Sequence, residues 1–264
     1  MIPTVEEQDY ATFVKKVKQR TAIDLGQYKE AQMKRRLTTL RDKKGFDTFA
    51  DYFDALMKEQ SLFHEFLDRM TINVSEFWRN SNRWEVLEKR FIPELSRHNR
   101  RLKCFSAACS TGEEPYTLAM ILAEQNLLPE SKIIAADIDE GALEQARAGV
   151  YNDRAIREVP EHYLNKYFIR DRLIYNIHPD LKQHIQFTKK NLLVDPLESN
   201  IDLIICRNVL IYFTEEAKED LYHKFSAVLK PGGLLFVGST EQIFNPERYR
   251  FQTADTFFYR KMES

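Results

Sequence analysis

The sequence predicts an α/β protein: a parallel sheet with helices between its strands, preceded by a small helical bundle. Three observations predict it. Residues 1 to about 75 carry only helix-period apolar stripes, with scarce glycine and no β-branched run. From Leu102 onward, short apolar runs alternate with helix-length amphipathic segments. The first of those runs ends in small residues that open a helix, where an open α/β sheet binds its ligand.

Along the chain, Tyr10, Phe13, Val14 and Val17 fall at i, i+3, i+4 and i+7 and predict a first amphipathic helix. Met33, Leu37 and Leu40 predict a second, with Gly45 as its stop. Phe49, Tyr52, Phe53 and Leu56 mark a third, and Leu62, Phe63, Phe66 and Leu67 a fourth. A helix from about Asn82 to Arg97, with Trp84, Leu87 and Phe91 on one side, joins this region to the next. Strands are expected at Leu102–Ser106, Lys132–Ala136, His184–Thr188, Asp202–Cys206 and Leu234–Gly238, with helices such as Glu114–Gln125 and Glu140–Gly149 between them. Pro231-Gly232-Gly233 predicts the tight turn into the fifth strand, and past Pro246 a closing hairpin ends in a strand at Thr256–Lys261. The expected division is a helical domain over 1–75, a linker helix over 76–101 and an α/β domain over 102–264.

Composition narrows the function. Hydrophobic residues make up 43% of the 264 and charged residues 30%, at a net charge of −1. That balance disfavours a general nucleic-acid binder, which carries a basic excess. No apolar stretch approaches the roughly 20 residues that span a bilayer, and the acidic start Met1–Glu7 has no signal-peptide core. Cys104, Cys109 and Cys206 form no CxxC pair, and the six histidines are scattered without an HExxH. No metal site and no disulfide framework are expected, and a cytoplasmic location is.

The run Phe105-Ser106-Ala107-Ala108-Cys109-Ser110-Thr111-Gly112-Glu113-Glu114-Pro115-Tyr116 carries the chemistry. Its small residues let a ligand lie against backbone, and Pro115 suits a first helical turn. Without GxGxxG or a P-loop lysine it does not fit NAD or ATP. Glu113 and Glu114 at a helix start disfavour a phosphate and suit a cationic or hydroxyl-rich ligand; the bland alternative is two acids capping the helix dipole. The second strand ends in Asp137-Ile138-Asp139: Asp139 is placed to cap the next helix, which leaves Asp137 for ribose hydroxyls. At later strand ends, Asn191 and Leu192 could frame an adenine, and Arg207 and Asn208 follow the fourth strand.

These residues resemble a known family. Ala107–Tyr116, reading AACSTGEEPY, looks like the cofactor signature of CheR-type chemoreceptor glutamate methyltransferases. Asn73-Val74-Ser75-Glu76-Phe77-Trp78-Arg79, Arg207-Asn208-Val209-Leu210-Ile211-Tyr212-Phe213, Leu229–Gly233 and Gly238–Glu241 are similar to further blocks of that family, in order. The resemblance implies a class I methyltransferase (Rossmann-like) sheet with a reversed final strand, a small N-terminal all-α domain and a small inserted subdomain at about 150–183. It implies S-adenosylmethionine as cofactor, S-adenosylhomocysteine as product, and cofactor contacts from Asn73, Ser75, Arg79, Glu113, Asp137, Asn191, Leu192 and Asn208. Arg207 is included with them as a candidate. The 73–79 segment is then expected to fold back over the methionine end. Arg79 and Tyr212 are the candidates for holding the substrate, Tyr212 having core packing as its alternative.

A glutamate carboxylate, with an ordinary pKa near 4.3, is already ionised at neutral pH and needs no base. Esterification then requires alignment of the reacting atoms more than proton transfer. The expected partner is the cytoplasmic helical domain of chemotaxis receptors, met by a basic segment, Lys29–Lys44, with Lys29, Lys34, Arg35, Arg36, Arg41, Lys43 and Lys44. The bland alternative for that segment is a solvated helix face. A monomer is expected, with no nucleic acid bound and no insertion into membrane. The rivals are a nucleic-acid or amine methyltransferase, disfavoured because Arg207-Asn208-Val209-Leu210 lacks the prolines of an Asn-Pro-Pro-Tyr loop, and a cofactor-binding regulatory module.

Overall fold

The structure, a computed structural model, describes residues 4–71 and 75–263. Backbone contacts group the chain into two compact units: Met1–Asn73 with Tyr212–Lys218, and Val74–Ile211 with Glu219–Ser264.

The first unit holds α1 (Val5–Thr21), α2 (Glu30–Lys43), α3 (Phe49–Leu56) and α4 (Gln60–Thr71). Thr4 and Glu7 form a capping box that starts α1, and α2 gives out just before Gly45, whose φ of +80° suits a glycine. Tyr10, Phe13 and Val17 are buried with Met33, Leu37, Leu40 and the apolar faces of α3 and α4, while Val14 and Phe63 are only half-buried. Phe13 is the hub, its ring 5.0 Å from Phe49 and 6.1 Å from both Tyr52 and Phe66. The segment from Tyr212 joins this unit by backbone bonds: Lys29 N donates to Tyr212 O, and Thr214 N to Gln27 O, each at 2.9 Å.

The cations of the second helix divide by direction. Lys29, Arg35 and Lys43 are exposed. Lys34 lies over the Tyr10 ring and Arg36 over the Tyr212 ring, 4.9 Å from its centre, and both are half-buried. Lys44 pairs with Glu65 at 2.5 Å. Arg41 is turned inward, 9% exposed, over Phe49 and bonded to Asp42. It therefore packs the bundle and does not belong to an outward basic face, because its position adjoins Leu37 and Leu40 on the buried stripe.

The second unit opens with α5 (Ser81–Val86), a π-helical turn at Leu87–Phe91 and α6 (Ile92–Ser96), where a single helix is expected from the sequence. Pro93 explains the widening. It has no N–H to donate, and its ring crowds the carbonyl four residues back, so the turn before it opens. Next come β1 (Lys103–Ala107), α7 (Glu113–Glu124), β2 (Lys132–Asp137) and α8 (Glu140–Ala148). An insertion follows: β3 (Val150–Asn152), α9 (Glu161–Tyr167), β4 (Phe168–Asp171), β5 (Ile174–Ile177) and α10 (Pro179–Lys182), its strands forming an antiparallel sheet ordered β3-β5-β4. The chain continues through β6 (Ile185–Lys189), β7 (Ile201–Cys206), α11 (Glu215–Val228), β8 (Leu229–Val237), β9 (Phe251–Asp255) and β10 (Phe258–Lys261).

The main sheet is ordered β6-β2-β1-β7-β8-β10-β9, parallel from β6 to β8 and antiparallel at β10 and β9. Its central strands are mostly apolar, as strands covered on both faces are, and every residue of β7 is buried, Asp202 included, which accepts from Lys103 N and Lys230 Nζ. One strand differs from expectation. β8 begins at Leu229 and runs through Pro231-Gly232-Gly233, which the register absorbs as an irregularity between Ile201 and Leu203 of its neighbour β7. Among the described residues, no helix is long and apolar enough to cross a membrane.

Candidate active site

β2 lies on one side of β1 and β7 on the other, so strand order reverses at the β1–β7 edge, beyond whose carboxyl ends such sheets bind ligands. The loop leaving β1 alternates in conformation: Ala108, Ser110 and Gly112 have φ of 55°, 49° and 94°. Left-handed backbone costs an L-residue roughly 1–2 kcal/mol, so surrounding bonds must hold this loop. Cys109 N donates to Ala136 O at 3.0 Å, Gly112 N to Cys109 O at 3.0 Å, and Ser110 N to Asp137 Oδ2 at 2.8 Å. Gly112 tolerates nothing larger, since a Cβ there would lie 2.8 Å from the Cβ of Ala146.

Asp137 ends β2 and is 4% exposed. Its Oδ1 accepts from Asp139 N at 3.0 Å while Oδ2 accepts from Ser110 N. Burial pushes its carboxyl up to about 6, against the pull of those N–H groups and that of Ile138. Backbone N–H groups of Asp139, Ser110 and Ile138 bond the carboxylate, and with about four lone-pair sites on its two oxygens it retains acceptor capacity for a ligand hydroxyl. Asp139 caps α8, accepting from Gly141 N and Ala142 N.

Glu113 and Glu114 open α7. Glu113 is buried, both its oxygens 2.8 Å from Thr111 Oγ1, and the Ser75 hydroxyl bonds it as well. Burial raises its carboxyl above the usual range. Glu114 reaches Ser106 Oγ at 3.4 Å and Arg207 Nη1 at 3.5 Å. Burial pushes Glu114 up to about 7, with Arg207 pulling it down and Glu241 pushing it up.

The segment from Ser75 to Asn80 is fixed at several points. Phe77 N donates to Ala155 O at 3.0 Å, and the ring meets Tyr151 at 4.7 Å and Phe168 at 5.2 Å, both edge-on. Trp78 and Asn80, with φ of 52° and 60°, bracket the half-buried Arg79. For a bulky residue such as Trp78 that conformation is an outlier, of the kind found at functional sites. Arg207 Nη2 donates to Arg79 O at 2.8 Å and to Asn80 Oδ1 at 3.0 Å, with its guanidinium over Phe236 and Trp84. Arg207 is 7% exposed, and these bonds commit it to the backbone that presents Arg79.

Asn208, also left-handed at φ 60°, is held by a residue to which sequence reasoning assigned no role. Buried Glu241 accepts from Asn208 N at 2.7 Å, Gly238 N at 2.8 Å and Ile211 N at 3.3 Å. Its sequence signals are an acid three residues past the glycine that ends an apolar strand and its place in the Gly238–Glu241 block. Asn191 turns its side chain to its own loop, Oδ1 accepting from Leu193 N at 3.1 Å, and Leu192 beside it is buried. Tyr212 groups with the helical unit, and Asn73 lies outside the described residues.

An ammonium near Glu113 would offset the burial of that carboxylate, and ribose hydroxyls would donate to Asp137, so these acceptors fit S-adenosylmethionine. Such acceptors at the carboxyl edge of such a sheet make this unit a class I methyltransferase domain. The comparisons with known proteins specify it further. Residues 73–258 match the family described as CheR methyltransferase, SAM binding domain, and residues 8–71 match CheR methyltransferase, all-alpha domain. The chain is 44% identical over 262 residues to a chemotaxis protein methyltransferase of Listeria innocua, covering 99% of this chain and 100% of that one. It is 32% identical to the chemotaxis protein methyltransferase of Borreliella burgdorferi, over 90% of this chain and 89% of that one. The chain belongs to the CheR methyltransferase family and is an S-adenosylmethionine-dependent methyltransferase.

Proposed function

We propose that this enzyme esterifies glutamate side chains on the cytoplasmic helical domain of chemotaxis receptors, for sensory adaptation. The observation that carries the reading is Arg79, a half-buried cation whose backbone is clamped by Arg207 between two left-handed residues. A cation on a backbone held that firmly suits an anionic substrate group. Bound S-adenosylmethionine supplies an electrophilic methyl group on a sulfonium. Asp137 holds the ribose, Glu113 with Ser75 the ammonium, and Asn208 the neighbouring polar edge. Asn73, Asn191 and Leu192 complete the proposed cofactor contacts. Arg79 orients the substrate carboxylate without gripping it, because a tight pair would stabilise the ground state. Tyr212 is proposed as a second substrate contact on the sequence block that carries it. No protein base is required, since the carboxylate arrives ionised.

The bond formed separates this reading from its amine rival. Methyl groups transferred to receptor are expected to leave as methanol in mild alkali, as esters do. Label that stays on the protein after alkali would overturn the glutamate assignment.

Receptor docking is assigned to α2, now through its exposed cations. Reversing Arg35 and Lys43 to glutamate inverts two outward charges and leaves Arg41 in the core. The expected result is unchanged cofactor affinity, slower receptor methylation and a flatter dependence on salt. A double variant as fast as the parent at low salt would reduce this helix to a solvated surface.

A further inference from the structure

We infer that Tyr151, the central residue of β3 in the insertion, is a positioning residue for the cofactor that ties the loop after β1 to the Ser75–Asn80 segment. It rests on the reading that those two segments hold S-adenosylmethionine. Tyr151 is 7% exposed, and its hydroxyl donates to Thr111 O at 2.7 Å. The same oxygen lies 3.2 Å from where a Cβ on Gly112 would sit, so it rests against the turn that opens α7. Its ring meets Phe77 edge-on at 4.7 Å and 83°. Phe77 is fully buried, with Phe168 at 5.2 Å on another side. One side chain of the insertion thus touches both segments.

The consequence runs through Thr111. The bond to its carbonyl sets the peptide plane between Thr111 and Gly112, and Gly112 N in turn donates to Cys109 O. The Thr111 hydroxyl bonds Glu113, which Ser75 bonds as well. Without the Tyr151 hydroxyl, that peptide is freer to rotate. The left-handed Ala108 and Ser110 then lose one of the constraints that hold them, and Glu113 loses its fixed direction. Burial lifts the Tyr151 phenol well above its ordinary range, so it remains a donor at every working pH.

The test compares Tyr151→Phe, which removes one oxygen, with Tyr167→Phe, which removes a hydroxyl bonded to Glu124 elsewhere in the same insertion. Tyr151→Phe is expected to weaken S-adenosylhomocysteine binding in calorimetry about five- to tenfold, the scale of one lost hydrogen bond. The KM for S-adenosylmethionine should rise by a similar factor, with kcat at saturating cofactor and the KM for receptor within about twofold of the parent. Tyr167→Phe should leave cofactor affinity unchanged. Phe77→Leu, which keeps every backbone bond but loosens the ring contact, should move cofactor affinity in the same direction. A folded Tyr151→Phe with parental affinity would overturn the inference, as would equal losses in both tyrosine variants. If the parent itself failed to bind S-adenosylhomocysteine, the reading of the site would fall with it. Weak binding in Asp137→Ala but normal binding in Tyr151→Phe would remove only the role of Tyr151.

Discussion

Replacing Glu241 with alanine is expected to destabilise the protein by about 3–5 kcal/mol, because it strands several backbone N–H groups at once. The carboxylate is 5% exposed and binds the amides of Asn208, Gly238 and Ile211, which belong to two different loops at the sheet edge. Water can rescue some of those donors, and that sets the upper limit. For a chain of this size the loss corresponds to a fall of about 10 °C in Tm. Cofactor affinity should fall as well, since Asn208 holds its left-handed conformation only while its N–H is pinned. Gly238 belongs to the same device: a Cβ there would sit 2.5 Å from Glu241 Oε2 and 2.9 Å from Asn208 N, so Gly238→Ala should produce a similar defect. Thermal melts and S-adenosylhomocysteine calorimetry on Glu241→Ala check this. A variant that melts with the parent would mean the carboxylate is dispensable.

The contrast between Asp137 and Glu241 shows what the sequence can carry. The strand-end position of Asp137 was legible because its signal is local: it closes an apolar run, and one of its carboxylate oxygens bonds Asp139 two residues away, although the other bonds Ser110 across 27 residues. Glu241 sits as regularly past a strand end and bonds Gly238 three residues away, but its bonds to Asn208 and Ile211 reach 33 and 30 residues upstream, a distance no periodicity encodes. Tyr151 is similar, bonding across 40 residues to Thr111. The helices of the first unit were readable because a stripe such as Tyr10, Phe13 and Val17 reports one buried face. Arg41 was not, because a long side chain at the edge of that stripe can turn either way and aromatic packing decides. Nor could the chain order reveal that Tyr212–Lys218 groups with the helical unit, since that depends on two backbone bonds to Gln27 and Lys29. β8 started early for a related reason: a Pro-Gly-Gly reads as a turn, and only the neighbouring strand supplies the register that absorbs it.

Asp137→Ala is expected to weaken S-adenosylhomocysteine binding ten- to a hundredfold, the loss of hydrogen bonds to a charged acceptor at about 1.5–3 kcal/mol. The acid dependence of the parent tests the same assignment independently. Burial pushes this carboxyl from 3.8 up to about 6 in the free protein. Ribose hydroxyls need the ionised form as acceptor, so cofactor affinity should fall as pH drops through 6, by up to tenfold per unit. The effect on folding has the opposite sign. A folded pKa above the unfolded one means the native state holds the proton more tightly, so this group's contribution is fully present below pH 4 and is lost as pH rises through 6. Over mildly acidic pH the free protein therefore gains stability from Asp137 while its affinity for cofactor declines, which separates the effect from acid unfolding. Glu113 is also raised by burial and adds its own slope, so the measurement is a comparison. Asp137→Asn keeps the shape, cannot ionise, and places an amide group against the N–H of Ser110 or Asp139. It should bind more weakly than the parent at pH 8, with a shallower decline between pH 8 and pH 5. A parent whose affinity is flat across that range, or an Asn variant as steep as the parent, would take Asp137 out of the cofactor site.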